Sequence, residues 1–159
     1  MICSTRIETG NGFPQLTALE KIYELTNRYD RKFTIIADGG IRNSGDMTKS
    51  LCFAHAVMMG NMLAGTNESP GEKVLLNGKL YKNYAGSSTH KTNHVEGVSG
   101  LVPYSGPVEN VIQHLMEGVR SGMSYQGANN LEQLRKDPEF VQITNSGLIE
   151  SHPHDILIK

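Results

Sequence analysis

Two short apolar stretches, each closed by glycine and followed by a helix-forming stretch, constrain this chain more than any other feature. The first is Phe33-Thr34-Ile35-Ile36, continuing into Ala37-Asp38-Gly39-Gly40-Ile41-Arg42. It is too short for a helix and reads as a strand buried on both faces, as in a parallel sheet. Asp38 then falls at the C-terminal end of the strand. Gly39 and Gly40 let the backbone turn sharply and bring its N–H groups close to a ligand. Ser44-Gly45-Asp46 reads as a helix start capped by Ser44. The second stretch, Ala56-Val57-Met58-Met59, ends in Gly60-Asn61 and repeats the pattern. Ligands bind at this edge of β/α proteins, and two such units in succession can build one phosphate cradle between neighbouring strands. A carboxylate beside exposed N–H groups suits a sugar diol next to a phosphate. Plain tight turns use the same glycines, so the pattern by itself leaves both readings open.

The rest of the chain hangs on these units. The segment from Cys3 to Gln15 is polar and punctuated by glycine, and reads as a loop. A helix is predicted from about Pro14 to Tyr29, with Leu16, Leu19, Ile22 and Tyr23 forming one buried stripe. A second helix covers Asp46 to Ala54 and buries Met47, Leu51 and Cys52. The run Val74-Leu75-Leu76, Asn77-Gly78, Lys79-Leu80-Tyr81 is a hairpin signal. It interrupts the strand–helix alternation and therefore projects from the loop end. Residues 85–103 are rich in Gly, Ser, Thr and His without periodicity, which predicts a mobile flap. Pro107 opens a helix with Val108, Val111, Ile112, Leu115, Met116 and Val119 on its apolar face. A short polar helix over 129–136, a short extended piece over 140–143 and an irregular tail over 146–159 complete the reading.

The chain has 159 residues, one domain's worth, and a net charge of −1. That balance offers no surface for nucleic acid or an anionic membrane. Cys3 and Cys52 are too far apart in sequence for a metal knuckle. No apolar run reaches membrane-spanning length, and the first residues lack the form of a signal peptide; a cytoplasmic setting is expected. Cys3, in its polar loop with Thr5 nearby, is a candidate nucleophile, whereas Cys52 on an apolar helix face is a packing residue. Glu96 is a candidate acid–base group. His152-Pro153-His154-Asp155 has metal-ligating residue types but lacks the spacing of a zinc site.

The segments CSTRIETGNGFPQLTAL, IIADGGIRNSGD, AVMMGNMLAGTNESPGE, LYKNYAGS and SGLIESHPHDI occur in an order that resembles the IMP dehydrogenase/GMP reductase family. The resemblance covers nearly the whole chain. It implies an α/β fold that is the C-terminal portion of a (β/α)8 TIM barrel, with an inserted hairpin and a flap, so that 1–159 is a single partial catalytic domain. It implies purine mononucleotide and nicotinamide substrates and a homotetramer. Cys3 becomes the nucleophile that bonds purine C2, with Thr5 and Glu96 assisting proton transfer. Asp38 would hold the ribose hydroxyls. Gly39, Gly40, Gly60, Asn61, Tyr84, Gly86 and Ser87 would surround the phosphate. Cys3, Glu150, Ser151 and His152 match a segment that helps bind a monovalent cation such as K+.

Within that family, the dehydrogenases activate water with an Arg-Tyr pair on a longer flap. Between Gly86 and Glu96 this chain reads SSTHKTNHV, with neither residue. Hydrolysis of the cysteine–purine adduct would then rest on His90 or His94. The resemblance therefore favours GMP reductase, which converts GMP to IMP and ammonia with NADPH. The alternative is IMP dehydrogenase, IMP to XMP with NAD, which EGVSGLVPYSGP and the tail ESHPHD resemble. A further alternative is a fragment that binds nucleotide phosphate without turnover. Met1-Ile2 stands where the family has a Gly-rich segment and the earlier barrel units, so a truncated chain is expected, with the inner faces of Ile35 and Val57 exposed.

Overall fold

The structure is a computed structural model that describes residues 5–29, 33–86 and 98–153, with the side chain of Thr5 not described. It has two parts, a helix-backed parallel pair of strands and an antiparallel three-stranded sheet. The first part holds α1 (Thr5–Thr9), α2 (Gln15–Arg28), β1 (Ile36–Asp38), α3 (Ser44–Leu51), β2 (Ala56–Met58) and α4 (Asn61–Ala64). The strands β3 (Lys73–Leu76), β4 (Lys79–Ala85) and β5 (Ser99–Pro103) follow, then α5 (Val108–Tyr125), α6 (Leu131–Leu134) and α7 (Asn145–Glu150).

β1 and β2 run parallel, with Ile36 opposite Ala56 and Asp38 opposite Met58. They are joined through α3, as parallel pairing requires a crossover. The core lies on one face of this pair: Ile35 and Ala37 pack with Met47, Leu51, Phe53, Leu115 and Val119. Burial is one-sided, in contrast to the expectation of a strand covered on both faces. Side chains alternate along a strand, so Ile35 and Ala37 face the helices while Ile36 and Met58 remain 52% and 53% exposed. For the same reason the expected exposure of Ile35 is reversed, and Val57 is half-buried against the core. The ladder also begins later than predicted, at Ile36 rather than Phe33. Its start is set by His55, whose N–H donates to the Ile35 carbonyl and whose Nδ1 accepts from the Ile35 N–H.

α3 and α5 pack closely because of two glycines a helical turn apart. A Cβ on Gly118 would lie 2.2 Å from Ser44 Oγ, and one on Gly122 2.8 Å from Thr48 Cγ2. Asn43, not Ser44, caps α3: its Oδ1 accepts from the Asp46 N–H at 2.8 Å. Ser44 is already the first helical residue and is occupied by the close approach of Gly118. α3 ends at Leu51, and Met47, Leu51 and Cys52 are buried as predicted. On α2, Leu19 is buried but Ile22 is 46% exposed, so the stripe is narrower than its spacing implies.

The hairpin forms as predicted. Asn77 and Gly78 take φ of 51° and 74°, the two left-handed residues of a tight primed turn. The predicted flap is shorter than 85–103, because residues 99–103 form β5 along the free edge of β4. Ser-Gly-Leu-Val-Pro has no strand alternation, and long-range pairing decides its state. Residues 87–97 lie outside the described residues. Two further differences come from local capping. The first segment contains α1, with Arg6 donating to the Phe13 carbonyl and folded over Gly12. The tail contains α7, capped by the Thr144 hydroxyl. Residues 140–143 join no strand, and Phe140 instead packs against Phe53 with ring centroids 5.4 Å apart. No described helix is long and apolar enough to cross a membrane.

Candidate functional site

The candidate residues cluster at the C-terminal ends of β1 and β2. Asp38 is the exposed last residue of β1, and Gly39 and Gly40 follow with φ of 92° and 80°. Two successive residues in this region exclude most side chains on conformational grounds. Space is not the limit, since a Cβ on Gly40 would come no closer than 3.9 Å to Gln15. Gln15, at the start of α2, donates its amide to the Asp38 carbonyl at 3.1 Å. That bond ties the segment following the Cys3 loop to the glycine turn. Sequence reasoning missed Gln15; its polar amide directly after Phe13-Pro14, at a helix start, was the available signal.

The turn is braced from its other side. Arg42 Nε donates to Asp46 Oδ2 at 2.9 Å, and the Arg42 backbone N–H reaches the same oxygen at 3.1 Å. Partial burial alone would raise the Asp46 pKa, but the hydrogen bonds and charge of Arg42 outweigh it and hold the carboxyl below its ordinary value. The same contacts raise the guanidinium of Arg42. A depressed carboxyl contributes stability above its unfolded pKa of about 3.9, and that contribution disappears as pH falls through the lower folded value. Asp46→Asn should therefore be less stable than the parent near neutrality, by a small margin because Arg42 is solvated. The two should converge at acidic pH, as urea titrations at several pH values would read. A difference that persists unchanged into strong acid would contradict the pairing.

Gly60 occupies the position after β2 that matches Gly40 after β1. Its φ of −98° is ordinary, and a Cβ there would meet nothing within 4 Å. Open space, not backbone strain, is what a glycine preserves at this turn. The space belongs to a cleft of about 690 Å³ lined by Gly60, Leu63, Thr66, Ser69 and Tyr84. Gly60 and Tyr84 are thus brought together across one cleft. Asn61 is not with them: it opens α4 and lines a second cleft of about 410 Å³ with Met62, Ser105 and His114. Gly86 closes β4, its N–H donating to the Val98 carbonyl.

The remaining candidates fall elsewhere. Cys3, Ser87, Glu96, His90 and His94 lie outside the described residues, and Thr5 is described only as the first residue of α1. Cys52 is 6% exposed, its Sγ 3.4 Å from the Thr48 carbonyl, and burial pushes its thiol pKa up. This is the environment of a packing cysteine. Glu150, Ser151 and His152 form the exposed end of α7, with Ser151 Oγ donating to the Gly147 carbonyl at 2.7 Å. Their described bonds stay within that helix end. Among the described residues no group of three or more His, Cys, Asp or Glu could hold a metal ion.

Fold and site together define an α/β protein whose two parallel strands end in glycine turns, the second of which lines a cleft. The family model described as "IMP dehydrogenase / GMP reductase domain" matches residues 1–154, and the chain belongs to that family. Inosine-5'-monophosphate dehydrogenase of Thermoplasma acidophilum is 47% identical over 171 positions, covering 98% of this chain and 35% of the relative. The proteins of the same name from Methanocaldococcus jannaschii and Bacillus subtilis are each 42% identical over 99% of the chain, covering 36% and 35% of their own lengths. The chain thus spans about a third of the length of these curated relatives.

These relatives overturn the expectation of GMP reductase, and with it the preference for NADPH. Dehydrogenases at 41–47% identity match along essentially the entire chain. The reductase expectation rested on one loop, and surface loops change length far more readily than the elements they connect. Consistently, the Thermoplasma alignment runs to 171 positions against a chain of 159 residues, so the relative carries residues with no counterpart here.

Proposed function

We propose that this chain is the C-terminal, nucleotide-binding part of an IMP dehydrogenase barrel, its 159 residues forming one partial catalytic domain. The observation that carries the reading is the identity of 41–47% to inosine-5'-monophosphate dehydrogenases over nearly all of the chain. The paired glycine turns and the cleft of Gly60 and Tyr84 support it, because backbone N–H groups at strand ends suit a phosphate. In this reading Asp38 accepts from the ribose hydroxyls, and Gly39, Gly40, Gly60, Tyr84 and Ser87 surround the phosphate; Asn61 lines the neighbouring cleft and the Gly86 N–H is already paired with the Val98 carbonyl.

Cys3 would add through sulfur to C2 of IMP, and NAD, when bound, would supply the acceptor for the hydride that C2 gives up. Water then attacks C2, the carbon–sulfur bond breaks, and XMP departs as the thiol is regenerated. Thr5 and Glu96 hold and move protons in these steps, and His90 and His94, which precede Glu96 in the sequence, are imidazoles able to activate water. The carbonyls of 150–152 follow the last turn of α7, where the helix end is electronegative; their chemistry suits a monovalent cation such as K+. A homotetramer is the assembly this reading carries.

The test is incubation of the protein with IMP and NAD, following NADH by absorbance and XMP by chromatography. XMP and NADH forming in equal amounts is the expected result. A second reading is nucleotide binding without turnover, which the cleft of Gly60 and Tyr84 supports without calling on Cys3. Calorimetric binding of IMP with neither NADH nor a Cys3 adduct by intact mass would establish it. Failure of both turnover and binding would overturn the assignment.

A further inference from the structure

Lys82 is a residue whose placement the proposed chemistry does not explain. It sits in the middle of β4 and is only 2% exposed. Its ammonium donates to the Thr66 carbonyl at 2.7 Å and also to the Ser69 carbonyl. Among the described residues it has no carboxylate within ion-pair distance. A buried charge held only by neutral oxygens is costly unless its hydrogen bonds are well made. Both bonds go to one segment, the loop over residues 66–71 between α4 and β3.

That loop is a wall of the cleft containing Gly60 and Tyr84. Its outer side is tied elsewhere: Asn67 Oδ1 accepts from Tyr104 Oη at 2.7 Å, and Glu68 Oε2 accepts from the Val108 N–H at 2.8 Å. Its far end lies against β4, since a Cβ on Gly71 would come within 2.2 Å of the Asn83 carbonyl. Lys82 supplies the tie from inside. Alternation along β4 places Lys82 and Tyr84 on the same face, so the residue that grips the loop stands beside one that lines the cleft.

We infer that Lys82 is a positioning residue: by holding the Thr66 and Ser69 carbonyls it sets the width of the cleft between the Gly60 turn and Tyr84. This rests on the reading that the cleft receives the phosphate of IMP. Without the ammonium the two carbonyls lose their donor, the loop lifts from β4, and the cleft no longer fits a phosphate against both walls. The effect is specific to the phosphate end of the nucleotide, because Lys82 touches neither the Asp38 turn nor the segment bearing Cys3 among its described bonds.

The experiment uses the full chain with Lys82→Met, an unbranched side chain one atom shorter that removes the donors, and Lys82→Arg, which keeps charge and donors. Hydrogen exchange at the amides of residues 66–72 reads the loop, and calorimetry reads IMP and inosine affinities. In Lys82→Met the loop amides should exchange faster while those of α3 do not. The ratio of IMP to inosine affinity should fall by about tenfold or more, the scale on which misplaced binding groups act. General damage would lower both affinities alike and leave the ratio unchanged, which would overturn the inference. If Lys82→Met does not fold, Lys82→Arg decides: it should keep the loop protected and the affinity ratio near the parent's, and loss of the ratio with an intact loop would overturn the inference. A parent chain that binds no IMP would instead overturn the functional reading, which the loop exchange does not depend on.

Discussion

Cys3→Ala is expected to abolish NAD-dependent oxidation of IMP while leaving IMP binding measurable. In the proposed reaction the hydride leaves C2 only after sulfur has added there, because addition makes C2 tetrahedral and electron-rich. Alanine removes the nucleophile and with it the covalent step. Losing a nucleophile that acts as part of a catalytic unit costs on the order of 10⁴-fold or more in rate. Binding should survive, since the phosphate and ribose contacts assigned to Gly40, Gly60, Tyr84 and Asp38 do not involve sulfur. Cys52→Ala is the matching control. Its thiol is buried at the C-cap of α3, its pKa is pushed up, and its Sγ lies 3.4 Å from the Thr48 carbonyl of that helix. That variant should turn over normally with a modest loss of stability. Steady-state NADH production and intact-mass detection of the adduct check both variants. Retained turnover in Cys3→Ala would remove Cys3 from the mechanism.

Gly118→Val is expected to be the most destabilising single substitution among the glycines of α5. The Cβ of any residue here would lie 2.2 Å from Ser44 Oγ and 2.3 Å from Ser44 Cβ, well inside contact distance. Ser44 cannot swing away easily, because its Cβ as well as its hydroxyl is in the path. The helices must therefore separate, disturbing Leu115 and Val119, each only 1% exposed, at the centre of the core. Overpacking of this kind costs about 1–3 kcal/mol and occasionally more, and the better helix propensity of valine over glycine recovers only a few tenths of that. Denaturant titration should show a lower midpoint. Pairing Gly118→Ala with Ser44→Gly should recover most of the stability lost in Gly118→Ala alone, because the two changes remove one clash and are coupled. Simple additivity of the two would show that the helices do not meet at this point. Because Ser44 follows the Asn43 cap, the disturbance should also reach the glycine turn after β1, and IMP binding should weaken in Gly118→Val.

The family itself was legible in the order of the chain's motifs, and the family model and relatives agree with it. The reductase expectation rested on the flap alone, whereas the identity to inosine-5'-monophosphate dehydrogenases runs along nearly the whole chain.

Local chemistry determined a good part of the structure by itself. Asn77-Gly78 closes the hairpin because both residues tolerate positive φ. Gly39 and Gly40 follow Asp38 where the backbone must enter the same region. Cys52 is buried because helical spacing puts it with Met47 and Leu51. Each of these depends on residues adjacent in sequence or one helical turn apart. What only the tertiary structure decided depends on partners far along the chain. β5 is a strand because β4 offers it an edge, although its sequence has no alternation. Ile36 and Met58 are exposed because the helices cover one face of the parallel pair, which no strand pattern specifies. Gln15 reaches Asp38, and Lys82 reaches Thr66 and Ser69, through side chains whose targets are backbone carbonyls. A carbonyl is present at every residue and leaves no mark in the sequence, so only the fold reveals which one a given side chain meets.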